Sequence, residues 1–194
     1  MRIIGGTAAG LHFKVPKGLH VRPTQDRVKQ AIFNRLGNRI PDVDIVDLFA
    51  GAGALGLECL SRGAASVTSV EISRRHASFI QNNLHHLKLP EKQFSLKIQD
   101  VFIFLQQAAA NEIQFDLILA DPPYGEKTTG ERSKSLAQKL IDTPNLSRIL
   151  KADGLCVLGH ASRDKITIPE SWMETKSMIH GDCSMRFLEK NNQD

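Results

Sequence analysis

The chain has 194 residues, of which 41% are hydrophobic, 24% charged and 6% aromatic, a length and balance that predict one domain with its own apolar core. No run approaches the ~20 apolar residues of a membrane span, and Met1-Arg2-Ile3-Ile4 runs into Gly5-Gly6 rather than into a secretory signal. Three scattered cysteines, Cys59, Cys156 and Cys183, support neither a disulfide framework nor a metal site, which together with the missing signal leads to the expectation of a reducing cytoplasm and no metal. The net charge of +4 is unevenly spread. Residues 1–39 carry eight Lys/Arg against the single acid Asp26, whereas the rest is faintly acidic. The expected organisation is a basic N-terminal extension over 1–39 on a body over 40–194, and such a lopsided charge suits either a polyanionic partner or a solvated surface.

Residues 2–4 and 11–15 read as short extended pieces, separated by Gly5-Gly6 and closed by the Pro16-Lys17-Gly18 turn. Arg22-Pro23 disfavours helix at Arg22, Thr24 is a candidate N-cap, and Asp26 suits the positive end of a helix over 25–36. Val28, Ala31, Ile32 and Leu36 recur at helical spacing there. Arg27, Lys29 and Arg35 fall off that stripe, available to a ligand or to water. From residue 45 strands and helices alternate: strands over 45–49, 67–71, 94–98 and 115–120, with helices over 54–62, 73–87 and from 101 to 109. Helical pieces over 136–150, a strand over 155–159 and a late hairpin through His180-Gly181-Asp182 complete the chain. The rhythm predicts an open, mostly parallel α/β sheet, whose ligands sit beyond the carboxyl ends of its strands.

The first candidate site is Asp47-Leu-Phe-Ala-Gly51-Ala-Gly53-Ala-Leu-Gly56, a strand that ends in a glycine turn opening a helix. As a dinucleotide fingerprint it would place a pyrophosphate at the helix N-terminus, where the anionic Asp47 is repulsive. S-adenosylmethionine has no phosphate, and its ammonium suits an aspartate there. Glu71, 24 residues after Asp47, ends the next strand where an acid binds ribose hydroxyls, and Asp100 follows the third strand where it can accept from an adenine amino group. The same two acids can also simply cap the helices after them.

The second candidate site is Asp121-Pro-Pro-Tyr124, delivered by the apolar run over 115–120. Two prolines stiffen the turn and remove two N–H donors, leaving carbonyls that accept. An exocyclic base amino group needs an acceptor pair such as the Asp121 carboxylate and the Pro122 carbonyl. Tyr124 would stack on the base. The methyl then passes in line from sulfonium to nitrogen, and the proton leaves to Asp121 or to water. A base in a duplex would have to flip out, so an unpaired base is the easier target.

These residues resemble a known family, the bacterial 16S ribosomal RNA (guanine(966)-N(2))-methyltransferases. The resemblance is carried by Arg2-Ile-Ile-Gly-Gly, Arg22-Pro-Thr-Gln-Asp-Arg-Val-Lys29 with Ile32-Phe33-Asn34, Asp47 through Glu58, Val70-Glu71 and Asp121 through Tyr124. It implies a class I S-adenosylmethionine-dependent methyltransferase fold: Rossmann-like, seven-stranded and mostly parallel with an antiparallel last strand, behind a short N-terminal extension. It further implies S-adenosylmethionine as cofactor, S-adenosylhomocysteine as product, no metal, and a monomer. The implied substrate is one guanine of 16S rRNA within the small ribosomal subunit or its assembly intermediate. By carry-over, Asp47, Phe49, Gly51, Gly53, Glu71, Ile72, Asp100, Val101 and Asp121 belong to the cofactor site, and Asp121, Pro122, Pro123 and Tyr124 to catalysis. Arg22, Thr24, Arg27, Lys29 and Arg35 are assigned to RNA, with Asp26 beside Arg27 either shaping the RNA-side wall or forming an internal ion pair. The match is only in outline over the C-terminal third, where Gly159-His160-Ala161-Ser162 stands in place of an acidic stretch.

Two other functions use the same motifs: DNA adenine-N6 methylation, which also needs an acceptor turn, and a non-catalytic RNA-binding assembly factor. His85-His86 has no obvious partner at ligand spacing, His160 is a candidate for the substrate side, and Trp172 is expected to pack or to cover a sheet edge.

Overall fold

Short β-branched and leucine runs become strands here because helices cover them, and the glycines between mark where the chain turns. The computed structural model describes residues 1–16, 26–124 and 133–191, and the chain divides into two units, Met1–Val101 and Phe102–Asp194. In the first unit β1 (Asp44–Leu48), β2 (Ser66–Val70) and β3 (Phe94–Lys97) are parallel neighbours, in register Asp47 with Ser69 and Val70 with Lys97. Its helices are α1 (Asp26–Leu36), α2 (Gly56–Ser61) and α3 (Arg74–His86). Ser73 caps α3, its side chain accepting from the His76 N–H.

Helix α4 (Val101–Ala110) leads into the second unit. There β4 (Phe115–Ala120) and β5 (Leu150–Ala161) are parallel, connected through α5 (Leu136–Ile141) and α6 (Pro144–Arg148). The hairpin of β6 (Trp172–His180) and β7 (Cys183–Lys190) follows, β7 antiparallel to both β5 and β6. Its loop is Gly181-Asp182, with Gly181 at φ +59°, a left-handed turn of the kind that joins two-residue hairpins. The strand order is β3-β2-β1-β4-β5-β7-β6, the expected seven-stranded α/β sheet with β7 reversed. Trp172 is buried at the start of β6.

Three expectations change. Ile3, Ala8 and Phe13 are buried, and the two extended pieces meet through one antiparallel bridge, Arg2 with His12, rather than as strands. The buried stripe of α1 is Val28, Lys29, Ile32, Phe33 and Leu36, so Lys29 lies on it. Strand β5 begins at Leu150, well before 155, because Phe115 of β4 pairs with Leu150 ahead of an irregularity in the register. Among the described residues, no helix is long and apolar enough to cross a membrane, and no group of three or more His, Cys, Asp or Glu could hold a metal.

Candidate active site

The glycine turn after β1 is held by side chains on several sides. Asp47 is buried, and its Oδ2 accepts the N–H of Gly56, the first residue of α2, at 2.9 Å. The seat that a pyrophosphate would take at that helix end is therefore filled by a carboxylate, which removes the dinucleotide reading on charge and space together. Gly51 and Gly53 both have positive φ, +58° and +82°, where a side chain is strained. A Cβ on Gly56 would come within 2.9 Å of Ser69 Oγ and 3.0 Å of Asp47 Oδ2, so this third glycine lets α2 close onto the sheet. Phe49 takes φ +60° despite its side chain, the sort of backbone strain that collects at ligand sites.

Glu71 follows β2 and is buried. Its Oε2 accepts the Gly51 N–H and its Oε1 the Ser73 N–H, both at 2.8 Å, with His76 Nδ1 3.5 Å away. Next to it Ile72 is 67% exposed, and Ile98 beyond β3 is 47% exposed. Apolar side chains left bare beside acids at the ends of adjacent strands are what a purine with a hydroxylated sugar would cover. Asp100 is half-buried, and Val101 is buried at the start of α4. The glycine cradle, the Glu71 carboxylate and the bare isoleucines all fit an adenosine-type group, and the filled helix end fits one without phosphate.

In the second unit, β4 delivers Asp121, Pro122, Pro123 and Tyr124 at its carboxyl end. Ala120 is in register with Leu158 of β5, which brings Asp121 level with Gly159. A Cβ on Gly159 would fall 2.5 Å from Asp121 Oδ1 and 3.2 Å from Met185 Sδ, so the carboxylate occupies the space that this glycine leaves. Pro122 is buried, Pro123 exposed and Tyr124 half-buried. Tyr124 hydrogen-bonds the Cys183 side chain; burial pushes that thiol's pKa up, the Tyr124 bond works against the shift, and the nearby Asp121 adds to it. His160 is buried, with Nδ1 2.9 Å from the Ala161 carbonyl while Nε2 accepts from Arg186 Nε at 3.0 Å. Burial and the Arg186 charge hold its pKa below the ordinary value.

The RNA-side assignment divides. Arg22 and Thr24 lie outside the described residues. Arg27 and Arg35 are exposed on α1. Lys29 is not available: fully buried, its Nζ donates to the Arg2 carbonyl at 2.6 Å and meets Glu58 Oε2 at 3.3 Å. Burial lowers its pKa, and the Glu58 charge works against that shift. Asp26 pairs with Arg2 Nε at 3.2 Å, not with its neighbour Arg27.

The family model named Conserved hypothetical protein 95 matches residues 1–189. Ribosomal RNA small subunit methyltransferase D of Haemophilus influenzae is 32% identical over 97% of this chain and 93% of its own length. The chain belongs to this methyltransferase family. The solved structure of yhhF from Escherichia coli superposes with a TM-score of 0.81 at 30% identity, covering 100% of this chain and 99% of that one. A more distant fold match is SMU.776 complexed with SAH, with a TM-score of 0.68 at 16% identity over 87% of this chain and 50% of that one.

Several residues that shape this candidate site do not figure among the sequence-based candidates. Gly159 carried a signal, since a glycine within an apolar strand marks a close approach. Ile98 was visible as an apolar residue two places before Asp100. Asn83 was visible too, a polar residue at helical spacing with Ala77, Ile80 and Leu84 on the buried face of α3. Cys183 gave no sequence signal, because its contact with Tyr124 depends on how β7 lies against β5.

Proposed function

We propose that this protein transfers a methyl group from S-adenosylmethionine to the exocyclic N2 of one guanine in 16S rRNA of the small ribosomal subunit, yielding S-adenosylhomocysteine. The observation that carries the reading is the acceptor turn Asp121–Tyr124 at the end of β4, its carboxylate level with Gly159, in a chain whose relatives are named small-subunit rRNA methyltransferases.

The cofactor-side residues are Asp47, Phe49, Gly51, Gly53, Glu71, Ile72, Asp100 and Val101. When bound, S-adenosylmethionine supplies a methyl already activated on a sulfonium. Glu71 would accept from the ribose hydroxyls while its Gly51 and Ser73 bonds keep it still. Ile72 would cover the adenine and Asp100 would accept from its amino group. Asp47 contributes negative charge behind the turn that favours the ammonium of the methionine end.

The base-side residues are Asp121, Pro122, Pro123 and Tyr124. The guanine N2 lone pair is delocalised into the ring, so the nitrogen is a poor nucleophile until its N–H groups are held. Asp121 and the Pro122 carbonyl accept those N–H groups and favour a tetrahedral nitrogen; Tyr124, tied at its hydroxyl to Cys183, stacks on the ring. Orientation then supplies much of the acceleration. Arg27 and Arg35, with Arg22 and Thr24, contact the RNA backbone.

The test is incubation with radiolabelled S-adenosylmethionine and small subunits lacking the modification, followed by mapping of the label. One N2-methylguanine in 16S rRNA is expected. Label in adenine of duplex DNA instead, or cofactor binding with no transfer to any nucleic acid, overturns the substrate assignment.

A further inference from the structure

We propose that Asn83 is a positioning residue through which the N-terminal arm sets the affinity of the glycine turn for its ligand, an inference that rests on reading that turn as the S-adenosylmethionine site. Asn83 sits in α3 at 2% exposure, a costly place for an amide unless its polar atoms are used. Its Oδ1 accepts the Lys14 N–H at 3.0 Å, and its Nδ2 donates to the Lys14 carbonyl at 2.8 Å and to the Ala52 carbonyl at 3.2 Å. One side chain thus does for Lys14 what a neighbouring strand would do, and it also holds the turn by the residue between Gly51 and Gly53.

The three bonds are not independent. The amide is planar, so a movement of the arm at Lys14 that rotates Asn83 also lengthens its bond to Ala52. Asp47 and Glu71 hold the same turn by the N–H groups of Gly56 and Gly51, so a shift at Ala52 reaches residues that they fix. Beyond Lys14 the chain leads toward the basic residues proposed to meet RNA. Whatever fixes the arm therefore tightens the cofactor turn, and by linkage a bound cofactor steadies the arm to the same degree.

Two substitutions separate this coupling from a merely structural role. Lys14→Pro removes the N–H that Oδ1 accepts, leaving Asn83 and the turn chemically intact. Asn83→Ala removes all three bonds. S-adenosylhomocysteine affinity is measured by calorimetry on the full chain for wild type, each variant and the double variant. Each single change is expected to weaken binding about five- to tenfold, the double variant being no weaker than Asn83→Ala alone. Unchanged affinity in Lys14→Pro, or losses that multiply in the double variant, overturns the proposal. Should Asn83→Ala fail to fold, Lys14→Pro still decides through amide hydrogen exchange: faster exchange at residues 51–53 supports the coupling and an unchanged rate overturns it. A wild-type chain that binds no S-adenosylhomocysteine overturns the cofactor reading and this proposal with it, whereas wild-type binding with an unaffected Lys14→Pro overturns this proposal alone.

Discussion

Lys29 and Glu58 form an ion pair, 3.3 Å apart, with both side chains fully buried. Glu58 also accepts the N–H groups of Ile4 and Gly5 at 2.8 Å each and Arg62 Nε at 2.9 Å, and Arg62 in turn lies over the Phe33 ring. One carboxylate thereby ties the arm, α1 and α2 together. Glu58→Ala is expected to cost about 3–5 kcal/mol, because it strands a buried ammonium and two backbone donors. Lys29→Met should cost less, about 1–2 kcal/mol, since Glu58 keeps its other donors. Urea unfolding of both variants checks the order, and equal losses would contradict it.

Gly159 and Asp121 make a sharper test of the acceptor turn. Gly159→Ala puts a methyl into space that Asp121 Oδ1 occupies, and so moves the carboxylate without changing its chemistry. Turnover should fall about 100-fold, as a displacement of about 1 Å can cost, with cofactor affinity nearly unchanged. Asp121→Ala should be at least as damaging to turnover and equally mild on cofactor binding. Single-turnover kinetics beside calorimetry would show it; a large loss of cofactor affinity in Gly159→Ala counts against the division of roles.

Arg27 and Arg35 are exposed on α1 while Lys29 is not. Neutralising the two arginines should weaken RNA binding and lower the log–log salt slope by about 2, with stability unchanged. Lys29→Glu should instead prevent stable folding by facing Glu58 with a second carboxylate. Filter binding across a salt series, with thermal melts alongside, distinguishes the two behaviours.

His160 gives a pH dependence whose sign is fixed. Burial, then Arg186, keeps the folded ring below its ordinary value of 6.5, so near that pH the unfolded chain takes up a proton that the folded chain refuses. This contribution is complete above pH 6.5 and is lost as pH falls below it, by about 1.4 kcal/mol per unit until the folded ring itself titrates. Melting temperatures between pH 7.5 and 5 should therefore fall less steeply in His160→Gln than in wild type. Parallel curves would reject the assignment.

How much of this was legible in the sequence follows from the range of the forces. The alternation of elements and the Gly181 turn are local, and each is where its residues predict. Asp47, Glu71 and Asp121 stand out in the sequence as acids at strand ends, and each lies at or just beyond the carboxyl end of its strand. Lys29 was misread for a physical reason: a lysine on a helix reads as solvated until the carboxylate that neutralises it is known, and Glu58 lies 29 positions away. The early part of β5 escaped notice because Asp153-Gly154 has turn chemistry; it lies in the irregular stretch between Leu150 and Leu155, the positions that pair with β4. The place of Cys183 beside Tyr124 depends on strand register, which no local pattern encodes.

The tethers of the N-terminal arm also set an order in time. Ile4 waits for a partner 54 positions later in the chain and Lys14 for one 69 positions later. At a translation rate of about 5–20 residues per second, Ile4 leaves the peptidyl transferase centre on the order of 3–10 s before Glu58 exists. Through that interval the apolar Ile3 and Phe13, buried in the finished protein, have nowhere to go. This segment is thus completed only by helices made later, and contacts of such long sequence separation form slowly. Substitutions that loosen the arm should therefore reduce the yield of folded protein in cells more than equilibrium stability alone would suggest.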